Sequence, residues 1–196
     1  MEKDHERSFL EMLARALVSL PFDLKVLIEA VSDSDLDREV RETAASMVVY
    51  AITPREGNVE PWLRHSEDAI LLRLAARRIL EHGGEDALAF RDRFSEEFSR
   101  FAEELEIFEK VTNKDVMAWL DGRWASLRKA VFAKKKIASF VDDEEMATLL
   151  YDEGLKFGTN YAISEKSLAG RLKQSQSVFD HLQKKWEQDK RKIPQA

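Results

Sequence analysis

Cysteine is absent from the 196 residues of this chain, and that removes three kinds of chemistry at once. No disulfide framework, no thiolate zinc site and no cysteine nucleophile can be built, and a reducing compartment suits such a chain. Glycine and proline are scarce, at seven and four residues, and nearly all fall between periodic segments. Long apolar runs are missing too. No window approaches the roughly 18 uninterrupted apolar residues of a membrane span. The opening stretch MEKDHERSFLEMLARALVSL is mixed in charge and interrupted by Glu11 and Arg15, unlike a signal peptide. The expectation is a cytoplasmic protein with no membrane span.

Catalytic signatures are equally lacking. There is no Gly-rich phosphate loop, no G-x-S-x-G and no H-E-x-x-H. The histidines, His5, His65, His82 and His181, are scattered, and the two Glu-x-x-His motifs that a di-iron bundle needs are not both present. Glu103, Glu106 and Glu109 recur every third residue opposite a Phe-rich seam and read as a solvated face. The sequence therefore predicts no catalytic residues, no metal ligands and no cofactor, and a protein that is not an enzyme.

What is present is helical periodicity. Hydrophobic residues make up 44% and charged residues 35% of the chain, a core under a heavily charged surface. Ser8 and Glu11 form a capping-box start to an amphipathic helix over 8–20. Pro21 is expected to end it and open a second helix over 22–31. A third spans 35–52, stopping before Pro54. Residues 53–65 read as a loop, with Ser66 capping a helix over 67–81 that Gly83 and Gly84 terminate.

Phe94, Phe98, Phe101, Leu105 and Phe108 are spaced 4-3-4-3, a heptad seam on a helix over 85–111. A second long helix, 113–141, carries Val116, Leu120, Trp124, Leu127 and Val131. With the short break at 111–113 the pair reads as an antiparallel hairpin. Trp119 and Trp124 read as filling its core, and Lys134, Lys135 and Lys136 as fanning around its far end. Asp142 and Asp143 open a further helix, Ser164 caps one over 165–172, and Ser175 one over 176–190. The fold class is all-α, about eight helices: a helical bundle with a long antiparallel helical hairpin and a C-terminal helical cluster. The divisions are 1–84, 85–141 and 142–196, or all of these as one domain.

The net charge of −6 is unevenly spread. Residues 1–111 hold 15 basic and 25 acidic side chains, and residues 112–196 hold 16 and 12. An acidic front and a basic back can attract each other within one molecule or between two.

Two stretches carry resemblances. In VVYAITPREGNVEPWLRHSEDAILLRLAARRI, a helix ends in an aliphatic-Tyr-aliphatic-x-Pro step, a Pro-containing loop follows, and an acidic pair opens a second apolar helix. Residues 36–80 thereby resemble the YkvA-type family of small helical domains, through Tyr50, Pro54, Pro61, Glu67 and Asp68. The acidic position two after the first Pro is here Glu56, the family's loop is longer, and its first acidic position is usually Asp. That family has no established activity, so the resemblance implies a fold fragment and no mechanism. Pro54, Pro61, Trp62, Glu67 and Asp68 are the partner or loop site it suggests, although helix capping alone explains Glu67 and Asp68.

Residues 163–186 are similar to a helix-turn-helix, with Leu168, Ala169 and Leu172 on a first helix and Phe179 and Leu182 at buried positions of a second. That second helix would offer Gln176, Ser177, Asp180, His181, Lys184 and Lys185 to bases and phosphates. Lys173 and Gln174 depart from the usual Gly and apolar residue of the turn. Two functions follow as expectations. The first is a non-enzymatic interaction or regulatory protein that binds a protein partner or a second copy through helical surfaces. The alternative is a DNA-binding regulator that uses residues 163–186.

Overall fold

The computed structural model describes residues 3–55, 59–172 and 175–192. The chain is an all-α helical bundle. Its elements run α1 (Lys3–Ser32), α2 (Arg38–Ile52), α3 (Pro61–His82), α4 (Gly84–Arg93), α5 (Ser95–Val111), α6 (Lys114–Gly122) and α7 (Trp124–Leu127). A two-residue hairpin, β1 (Val131–Phe132) with β2 (Lys135–Lys136), leads to α8 (Ser139–Asp142), α9 (Glu144–Asn160), α10 (Glu165–Leu168) and α11 (Gln176–Lys192). No described helix is long and apolar enough to cross a membrane.

α1 lies at the centre, packed against α2, α3, α5 and α9. Phe9, Met12, Leu13, Ala16, Leu17, Leu20, Leu24 and Leu27 are all buried, so its apolar positions serve several neighbours and not one. Contrary to expectation, Pro21 does not break it. Proline cannot donate to the carbonyl four residues earlier, which here is Leu17. The Tyr161 hydroxyl, at the end of α9, donates to that carbonyl instead at 2.7 Å. A tertiary contact thus supplies the bond that the ring removes, and buried neighbours on both sides hold the helix through the proline.

The heptad seam of the sequence is real: Phe98, Phe101, Leu105 and Phe108 are buried, and α5 packs on α1 and α3. The helix over 85–111 is interrupted at Phe94, whose ring packs 4.9 Å from that of Phe90. The second long arm is not formed. Residues 113–141 fold as α6, α7, the β1–β2 hairpin and α8, so the long antiparallel hairpin is a correction to the sequence reading. Val116, Leu120, Trp124 and Leu127 still reach the core, but Val131 lies outside it. Ala133 and Lys134 take positive φ of 48° and 63°, the geometry of a two-residue type I′ turn. The lysine run therefore sits in and after a hairpin turn, not on a helix.

An ionic network joins three helices at the centre. Arg73 of α3 donates to Glu104 of α5 at 2.8 Å and to Asp23 of α1 at 2.7 Å, and Arg100 donates to Asp23 at 2.6 Å. Asp23, Arg73 and Glu104 are buried. Two carboxylates facing two guanidinium groups balance the charge, which is the condition for tolerating ions in a core.

Candidate functional site

α3 begins at Pro61, which occupies the first helical turn, where its missing N–H is not needed. The helix therefore starts five residues before the expected cap. Ser66 is inside it and donates its hydroxyl back to Trp62 O at 2.7 Å. Glu67 and Asp68 are consequently not capping residues at an exposed helix start. They are in mid-helix with no accessible surface, which corrects the capping account. Charges at such depth must be paired.

Adjacent on a helix, the two carboxylates point to different partners. The Tyr50 hydroxyl donates to Glu67 Oε1 at 2.6 Å, Arg123 of the α6–α7 junction bonds the same oxygen, and Lys185 of α11 bonds Oε2. His181 Nε2 lies 4.0 Å from Oε2. Burial pushes the Glu67 carboxyl up, but the charges of Arg123 and Lys185 and the bonds from Lys185 and Tyr50 outweigh it and leave it at about 2. Burial raises the Tyr50 hydroxyl, and Glu67 raises it further. Burial, followed by the charge of Lys185, pushes the His181 imidazole down.

Asp68 accepts from Arg55 Nη2 on both oxygens at 2.5 Å and meets His65 Nδ1 at 2.8 Å. A carboxylate can only accept, so Nδ1 is the donor. The guanidinium carbons of Arg55 and Arg123 sit 4.4 and 5.0 Å from the Tyr50 ring centroid, which stacks both cations on one aromatic ring. Arg55 Nε and Nη1 are buried without an acceptor. A buried donor left unpaired costs about 1–3 kcal/mol.

Above Asp68 opens a pocket of about 520 Å³, lined on one side by Pro54, Arg55, Pro61, Arg64 and His65 and on the other by Lys156, Phe157 and Tyr161. Pro54 and Pro61 thus flank a cavity, while Trp62 is buried in the core. The helix-turn-helix positions divide. Gln176, Ser177 and Lys184 are exposed, whereas His181 and Lys185 face Glu67. The expected first helix over 165–172 is only α10, Glu165–Leu168, and the turn residues Lys173 and Gln174 lie outside the described residues, as does Glu56. Lys185 and Glu67, singled out in two separate stretches, meet in one ion pair. Arg55 and Arg123 carry no signal in the sequence, and His65 appears there only as one of four scattered histidines. The His65–Asp68 pair has helical i,i+3 spacing, hidden because 53–65 reads as a loop. Nothing in the spacing points to Arg123, 56 residues from Glu67.

A second feature lies along the outer face of α1. Leu10, Ala14, Val18 and Phe22 recur every four residues, the first three half-buried against the core and Phe22 exposed, and they line a groove of about 980 Å³ with Ile107, Leu168 and Leu172. The Phe22 side chain is 68% exposed. No protein-family model, no curated protein and no solved structure matches the chain.

Proposed function

We propose that this protein is a non-enzymatic interaction protein that works through its helical surfaces, and that the surface is the groove along α1, with a second copy of the chain as occupant. The observation that carries the reading is Phe22, a large apolar side chain 68% exposed at the end of an apolar stripe. Stripes of this kind mark association surfaces. The charges along the groove allow a self-complementary contact: Glu11, which also pairs with Arg7 at 2.8 Å, and Arg15 stand one turn apart among its lining residues. If two copies of α1 cross antiparallel near Ala14, whose small side chain permits close approach, Leu10 packs on Val18 and Glu11 meets Arg15, each twice. That is the reciprocal pattern of a two-fold interface.

The charged cluster supports the absence of catalysis in this reading. Glu67 and Asp68 are each tied to cations on both oxygens or by bidentate contact, which suits a structural role and leaves neither as a general base. We propose likewise that residues 36–80 are akin to the YkvA-type family. The support is that Tyr50 lies on α2 and Glu67 and Asp68 on α3, with Pro54 in the connection and Pro61 opening α3.

Sedimentation velocity over a range of concentrations tests the dimer. The wild-type chain is expected to show a concentration-dependent dimer, and Phe22→Asp a monomer with unchanged circular dichroism, because a charge in an apolar interface is unpaired. A wild-type chain that stays monomeric at about 100 μM, a concentration at which an interface weaker than roughly −5 kcal/mol is lost, would sink it.

A further inference from the structure

We propose that the pocket between the start of α3 and the second half of α9 binds a small organic oxyanion, a carboxylate or phosphate ester carried on a flat apolar body. At about 520 Å³ it has the size of a small-molecule site, and it joins apolar walls to a few convergent polar groups. Arg55, Arg64 and Lys156 line it, against Glu153 as the one lining carboxylate among the described residues. Glu153 is held by Lys156 at 2.5 Å, and Asp68 beneath is matched by Arg55. Both carboxylates are thus matched, and neither is left to repel an anion.

Arg55 sets the chemistry. Its bonds to Asp68 come from Nη2 alone, and Nε and Nη1 have no acceptor. A planar guanidinium with unused N–H groups is the protein group best shaped for a carboxylate or phosphate. His65 adds a second polar contact, since Asp68 holds Nδ1 and Nε2 is the ring nitrogen left over. The His65 ring lies 5.7 Å from that of Phe157 and 5.1 Å from that of Tyr161. These three rings form an aromatic wall beside the cations, which is why the anion should carry a flat apolar body.

The test is a titration of phenyl phosphate and of benzoate into the ¹⁵N-labelled chain, with phenol as the uncharged control. Saturable shifts of the amides of Thr53, His65, Phe157 and Ala162 are expected with at least one of the two anions and not with phenol. Arg55→Lys keeps a cation against Asp68 but loses the planar fork, and it should weaken binding about tenfold, the loss of one charge-assisted hydrogen bond. The surface variant Lys156→Gln, which leaves the buried cluster untouched, should weaken it as well. No saturable shift with either anion, equal shifts with phenol, or unchanged binding in both folded variants would overturn the proposal. Phenyl phosphate saturating where benzoate does not identifies the phosphate ester as the ligand class, and the reverse identifies the carboxylate.

Discussion

Glu67 concentrates the opposing effects of burial in one side chain. Desolvation favours its neutral form, while Arg123, Lys185 and the Tyr50 hydroxyl favour the anion and prevail, so that its pKa falls from 4.5 to about 2. A carboxyl depressed in the folded state adds stability above its unfolded value and loses it as pH falls toward the folded one. Glu67→Gln, which keeps the shape and leaves two cations without a counter-charge, should therefore cost about 3–5 kcal/mol near pH 7 by urea denaturation. The gap to wild type should close between pH 4.5 and about 2, where the native carboxyl becomes neutral as well. A gap independent of pH would show that charge is not its source. His181, whose pKa is also lowered, makes the wild type lose stability earlier on acidification, below about 6.5. The sequence singled out Glu67 and Asp68 as an acidic pair at a helix start; their burial was not legible, because a buried ion pair leaves no local pattern when its partners come from distant elements.

At the scale of elements, apolar spacing located most helices, and the misreadings share a cause. Pro21 and the span 113–141 follow local rules that tertiary contacts override. For α1 the override can be measured. Tyr161→Phe strands the Leu17 carbonyl and should cost about 1–3 kcal/mol. In a Pro21→Ala background the restored N–H takes that carbonyl, so the same change should cost clearly less. Denaturant unfolding of the four proteins gives the coupling, and additivity within about 0.5 kcal/mol would remove the link between proline and tyrosine. In the expected second arm, helical spacing continued through Val131, yet the chain turns at Ala133 and Lys134 in a backbone region that non-glycine residues rarely adopt. No glycine or asparagine marks that turn, so composition concealed it.

Across the whole molecule, the acidic front and basic back meet inside one chain. Arg123 and Lys185 engage Glu67, Arg128 reaches Glu39 at 2.8 Å, and Arg171 reaches Glu60 at 2.7 Å. α11 is part of the same body. Val178 and Leu182 are buried in a core that continues to Phe9, the Phe179 ring stacks on the Phe9 ring at 5.0 Å, and Trp119 donates to Asp189 at 3.2 Å. Leu182→Ala should accordingly cost about 2–5 kcal/mol and shift the whole unfolding transition. Tryptophan fluorescence and circular dichroism should move together. An early, separate loss of α11 would show that it docks as an independent unit.

Helical spacing and the lack of strand alternation determined by themselves that this chain is all-α, because those signals act within a few residues and each helix carries its own apolar face. The centrality of α1, the continuation through Pro21, the break of the second arm and the gathering of Tyr50, Arg55, Glu67, Asp68, Arg123 and Lys185 were decided by tertiary structure. Each depends on a hydrogen bond or an ion pair between residues far apart in the chain, and such energies exist only once the helices have packed.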